Sequence, residues 1–83
     1  MKRVVYVSAE WCSPCKVFKP VLHKVTTEMK IPVEYVNVDY DAKYVSEFGI
    51  QAVPTTLCFS DNSLIWKQSG VIPESVLKSK LSF

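Results

Sequence analysis

The sequence predicts a small α/β fold of order β-α-β-α-β-β-α, a four-stranded mixed sheet flanked by helices. Three observations carry that expectation. The β-branched runs RVVYVS at 3–8 and VEYVNV at 33–38 lack a helical period. Between them, Val17, Phe18, Val21, Leu22, Val25 and Met29 recur at the i, i+3, i+4, i+7 spacing of one helix face, with Lys16, Lys19, His23, Lys24 and Thr27 on the other. Later, TTLCF and SLIWKQ are parted by Ser60-Asp61-Asn62, a hairpin signature.

The elements follow in chain order. Ala9-Glu10 ends the first strand, and Pro14 opens the helix, because its missing N–H costs nothing in a first turn. Pro20 lies inside that helix and is expected to remove one backbone hydrogen bond and bend the axis. A strand, helix, strand succession of this length implies a right-handed parallel crossover. Asp39 to Gly49 reads as a short helix, with Asp41 at its N-cap and Gly49 beyond its end. After the hairpin, Ser69-Gly70 breaks the pattern. Pro73 then opens a last helix ending near Leu81, with Val76, Leu77 and Leu81 turned inward.

A chain of 83 residues has room for a single domain over 1–83, and its 48% hydrophobic content is that of a globular protein. Ten basic and eight acidic residues leave a formal charge of +2, which gives no electrostatic footprint for nucleic acid or an anionic membrane. Lys2-Arg3 leads only into VVYV, short of the roughly 7–15 apolar residues of a secretory signal. Three cysteines cannot all pair within the chain, so a reducing compartment, the cytoplasm, is expected. A monomer without cofactor or metal is the expected form.

Two of the three cysteines fall within the segment WCSPCK at 11–16. A cysteine just before a helix gains thiolate stabilisation from free backbone N–H groups and the positive end of the helix dipole, which is the position of Cys12. Cys15, one turn in, is near enough to close a small disulfide but shielded by its own helix, so the two thiols are not equivalent: one attacks, the other resolves. A zinc site is the competing reading of a Cys-x-x-Cys pair. It needs two more ligands, and only Cys58, in a late apolar strand, and His23, on the polar helix face, are left to offer them. Strand, Cys-x-x-Cys, helix and crossover together make the context of a thioredoxin-like redox motif.

The segment AEWCSPCK at 9–16 resembles the active-site segment of thioredoxins, AEWCGPCK. Pro20 resembles that family's helix proline, VNVD at 36–39 its second parallel strand, FGIQAVPT at 48–55 the segment with its cis-proline, and Gly70 a glycine on its substrate-facing surface. The resemblance spans nearly the whole chain, in the manner of the short thioredoxins of archaea and phages. It implies a protein-disulfide reductase in which Cys12 is the exposed nucleophile, Cys15 the resolving thiol and Trp11 a lid. It also implies a cis Pro54, a Val53 backbone free to pair with an extended substrate, and Val71 and Ile72 completing an apolar rim. Disulfide-containing proteins are the implied substrates and thioredoxin reductase the implied electron donor.

The departures from the family are specific. Its buried acid, six residues before the first cysteine, is Tyr6 here, and the lysine that pairs with that acid is Tyr35. Two tyrosines can fill the volume of such a pair and share a hydroxyl hydrogen bond, while neither phenol, with an ordinary pKa of about 10, is a ready base at neutral pH. Ser13 replaces a glycine between the cysteines, and the retained Pro14 favours a reducing poise. Lys16 is expected to be solvated more than coupled to the thiolate, and Cys58 to pack as a small hydrophobe. Two other functions stay open: a glutaredoxin-like, glutathione-coupled reductase, to which SGVIPES with its single glycine is a poor match, and a binding module using the same surface without chemistry.

Overall fold

The computed structural model describes residues 1–83. It contains β1 (Lys2–Ser8), α1 (Ser13–Glu28), β2 (Val33–Asn37), α2 (Ala42–Phe48), β3 (Thr55–Ser60), β4 (Ser63–Ser69) and α3 (Glu74–Leu81). This is the predicted order. The sheet runs β2-β1-β3-β4, with β1 parallel to β2 and antiparallel to β3, and β4 antiparallel to β3.

Val4, Val5, Tyr6 and Val7 of β1 are fully buried, so both faces of the central strand need cover. Alternation along the strand divides them. Val4 and Tyr6 join Phe18, Leu22 and Val25 of α1 and Leu77 and Leu81 of α3 in one core, whereas Val5 and Val7 join Val36, Ile50, Leu57 and Phe59 in the other, beneath α2. Phe48 and Val45 of α2 pack on this second core. The crossover through α1 is the connection a parallel β1–β2 pair requires.

Several side chains depart from their expected faces. The buried stripe of α1 is Cys15, Phe18, Leu22, Val25 and Thr26. Val17 lies about a third of a turn from its centre and is exposed. Thr26 takes a core place because its hydroxyl donates to the Leu22 carbonyl at 2.7 Å, which leaves the methyl to pack. Val76 is exposed for the same angular reason, next to a buried Leu77. The second helix is shorter than the expected 39–49: Asn37 Oδ1 accepts from the Asp39 N–H at 2.9 Å and holds that stretch in a turn. Asp41 occupies the N-cap position without a side-chain bond, and Gly49 ends the helix in the left-handed conformation, φ 61°.

The hairpin turn is tighter than expected, because Ser60 and Ser63 pair and leave Asp61-Asn62 as the loop. Asp61 has a positive φ of 56°, and its carboxylate accepts from the N-terminal amine at 2.7 Å, which lowers its pKa. A bulge near Ile65 shifts the register and turns Trp66 onto the first core, where its Nε1 donates to the Lys80 carbonyl at 3.2 Å. Cys58 is fully buried in the same core, as expected of a small hydrophobe.

Thr56 on β3 is wholly buried, and its hydroxyl has no hydrogen-bond partner. An unpaired buried hydroxyl is costly, and valine has nearly its shape, so Thr56→Val should stabilise the fold by about 1 kcal/mol. Urea unfolding would register this as a higher midpoint at unchanged slope; a lower midpoint would mean that the hydroxyl has a partner in solution.

Candidate active site

The C-terminal end of β1 leads through Ala9 into the cysteine segment. The Cys12 N–H donates to the Ala9 carbonyl at 3.2 Å, closing a turn, and Cys12 then caps α1. Its sulfur accepts the Cys15 backbone N–H at 3.2 Å, and its carbonyl accepts from Lys16 N at 3.3 Å. The thiol position thus receives one of the N–H groups that a helix start leaves free. Pro14 sits within this first turn, where no donor is missed, and Pro20 lies further along α1 without interrupting it.

Cys12 and Cys15 are joined in a disulfide, with Cα atoms 5.3 Å apart. They and Ala9 form a small buried cluster on which Val38 and Val53 pack. The expectation of an exposed Cys12 beside a shielded Cys15 is not met: their exposures are 4% and 3%. In the disulfide form, sulfur-to-sulfur contact and the packing of Val38 and Val53 cover both. The asymmetry between them lies in hydrogen bonding, since only the Cys12 sulfur takes the backbone donor.

The segment from 51 to 54 approaches from the opposite side. The Val53–Pro54 peptide bond is cis, as the resemblance implies. Pro54 is buried, and its carbonyl accepts from the Gly70 N–H at 2.8 Å, which ties the loop after β4 to the proline. Gly70 has φ 88°, a conformation side-chain-bearing residues rarely adopt, which leaves Val71 exposed beside it. Ile72 is instead fully buried in the first core, so it is core and not rim.

Trp11 is 69% exposed, and its indole Nε1 donates to Asp39 Oδ2 at 3.2 Å. Asp39 and the packing residue Val38 carry no independent signal as site residues in the sequence; the turn after β2 brings them here, whereas Ala9 adjoins the cysteines in the chain. Ser13 and Lys16 are exposed on the first turns of α1. His23 sits on the exposed face of α1 and Cys58 in the core, and no group of three or more His, Cys, Asp or Glu side chains converges as metal donors.

Behind the cysteines, Tyr6 projects from β1, and its hydroxyl donates to the Cys15 carbonyl at 2.8 Å. It does not bond Tyr35. The two residues are register partners on parallel strands, so their rings stand side by side, 6.1 Å apart in an edge-to-face arrangement, and their hydroxyls diverge. The Tyr35 hydroxyl lies 3.3 Å from His23 Nδ1, with the Lys19 ammonium 5.1 Å from its ring centroid. Burial, with a smaller contribution from Tyr35, pushes the Tyr6 pKa up to about 12, and burial also raises that of Tyr35. A cavity of about 310 Å³ opens beside this pair, walled by Ser8, Glu10, Cys15, Lys16, Lys19 and Asn37 among others.

The thioredoxin family model matches residues 1–82. A thioredoxin of Mycoplasmoides gallisepticum is 37% identical over 82 residues, covering 96% of this chain and 81% of its own. Among solved structures, a mutant thioredoxin of Halobacterium salinarum superposes with a TM-score of 0.89 at 26% identity, covering 95% of this chain and 70% of its own. The oxidised mitochondrial thioredoxin 3 of Saccharomyces cerevisiae gives 0.84 at 30% identity, covering 94% and 74%.

Two side chains of the site and core give measurable titrations. Tyr6 is neutral in the folded protein up to about pH 12, whereas an unfolded phenol ionises near 10.0, so its contribution to stability is complete below pH 10 and is lost as pH rises through 12. Denaturation measured from pH 9 upward should show a steeper alkaline loss than in Tyr6→Phe. Burial raises the Cys58 pKa above that of a free thiol; iodoacetamide at neutral pH should therefore leave Cys58 unmodified in the folded, reduced protein and reach it only in denaturant.

The fold, the Cys12–Cys15 disulfide at the head of α1, the cis-proline opposite it and the family match agree: the chain belongs to the thioredoxin family and is a dithiol thiol-disulfide oxidoreductase.

Proposed function

We propose that this chain, working as one domain over residues 1–83, a monomer and in the cytoplasm, reduces protein disulfides with Cys12 as attacking nucleophile and Cys15 as resolving thiol. The observation that carries the assignment is the Cys15 N–H to Cys12 sulfur hydrogen bond at the N-cap. That donor and the helix dipole favour negative charge on Cys12, making it the better thiolate at neutral pH and the better leaving group when Cys15 attacks its sulfur.

The substrate surface in this reading is Val53, Pro54, Gly70 and Val71, with Trp11 closing one side. Val53 makes no backbone hydrogen bond of its own, which leaves its peptide groups to pair with an extended segment laid beside the disulfide. The apolar hollow of about 170 Å³ next to it, walled by Trp11, Val38, Val45, Ile50 and Val53, suits a side chain flanking the substrate cysteine. Ser13 and Pro14 form the backbone between the sulfurs, and Lys16 adds an exposed positive charge on the first turn of α1. Disulfide substrates and a reductase that restores the dithiol belong to the family as a whole; thioredoxin reductase is the proposed donor here.

Reduction of a protein disulfide with NADPH and a thioredoxin reductase tests this directly. Cys12→Ser should abolish turnover, and Cys15→Ser should accumulate a Cys12 mixed disulfide, visible by mass spectrometry after acid quenching. Efficient turnover with glutathione and glutathione reductase alone would transfer the protein to the glutaredoxin-like reading. A partner complex that survives in the double serine variant, with no reductase activity in the native protein, would make it a binding module.

A further inference from the structure

Resolution of the mixed disulfide requires Cys15 to lose a proton, and the interior holds no base to take it. Apart from the Tyr6 phenol and the cysteine sulfurs, the buried polar side chains are the threonines Thr26, Thr55 and Thr56; no carboxylate, imidazole or amine is buried. Tyr6 is the buried hydroxyl nearest the pair, and its proton is already committed to the Cys15 carbonyl at 2.8 Å. What does reach Cys15 is the 310 Å³ cavity between α1 and the β1–β2 edge, on the face away from Val53 and Pro54. The charged and titratable groups facing it are Glu10 after β1, Lys16 and Lys19 on α1 and Tyr35 on β2, with Tyr6 behind.

We propose that Cys15 exchanges its proton directly with solvent through this cavity, and that Tyr6 is a positioning residue that holds the Cys15 backbone and takes no proton. The proposal rests on the role of Cys15 as resolving thiol. In the step, the Cys15 proton passes to solvent and its thiolate attacks the Cys12 sulfur. The Cys12–Cys15 bond forms as the bond from Cys12 to the substrate sulfur breaks, and the electron pair leaves on that sulfur. The two enzyme thiols are oxidised, and the substrate disulfide is reduced to two thiols. The cavity gives the proton an exit separate from the face on which the substrate sits.

Stopped-flow reaction of the reduced protein with a chromogenic aromatic disulfide separates the steps, because each enzyme sulfur releases one coloured thiolate. The second, concentration-independent release is the resolving step. Its absence in the native protein, or its persistence in Cys15→Ser, would overturn the role of Cys15 itself. Given that phase, its rate should rise with pH through one inflection, that of Cys15. Tyr6→Phe should keep the inflection and lower the plateau about 2- to 10-fold, the equivalent of one ordinary hydrogen bond. Ser8→Phe and the milder Ser8→Leu fill the cavity from a strand position and should move the inflection upward, by desolvating Cys15. They should also slow iodoacetamide modification of Cys15 in a Cys12→Ser background. An inflection that shifts or vanishes in Tyr6→Phe, a second inflection in the native protein, or indifference to both Ser8 variants in folded protein would overturn the proposal.

Discussion

Everything in this molecule depends on the double burial of β1. A strand with no water-facing side must have a layer on each face, and alternation of its side chains allots Val4 and Tyr6 to the α1–α3 layer and Val5 and Val7 to the α2 layer. The parallel pairing with β2 forces the crossover through α1, which starts where β1 ends. The loop at the carboxyl end of the central strand therefore becomes the head of a helix, where backbone donors are unpaired, and the reactive sulfurs are placed there.

The same burial ties core to chemistry through one phenol. A tyrosine with no solvent contact needs a partner for its hydroxyl, and Tyr6 finds it in the Cys15 carbonyl. Satisfying a buried polar group and fixing the backbone of the resolving cysteine are one contact here. Opposite, the Gly70 N–H to Pro54 carbonyl bond sets the other wall. The site is thus clamped between chain segments some 40–60 residues apart, each anchored in the sheet.

Element types and their order were legible because hydrophobic period changes cleanly between VVYV, the α1 stripe and the hairpin strands. The exact faces were less so. Period locates a stripe but not its edges, which α3 and the sheet decide, so Val17 and Val76 read as core although each lies to one side of the contact. The cysteines, Trp11, Pro54 and Gly70 were legible through motif and resemblance. Tyr6 and Tyr35 do come together, but pairing of their hydroxyls fails, since parallel register partners project side by side. Asp39 and the cavity were invisible, being products of the turn after β2 and of the angle at which α1 leaves β1.

The central position of β1 in space is matched by an early position in the chain, ahead of both its neighbours. Val5 pairs with Glu34 on one side and Leu57 on the other, so during synthesis this doubly buried strand precedes both of its partners and is enclosed only after they follow. For that interval an uncharged VVYV segment is available to any other strand, the situation in which aggregation competes with folding. Lys2 and Arg3 stand at its mouth. In the finished protein Lys2 donates to the Leu81 carbonyl and Arg3 lies over the Phe59 ring, contacts made only once β3 and α3 have arrived. Until then the two cations lack those partners and flank the segment as charges of the kind that disfavour strand-to-strand association.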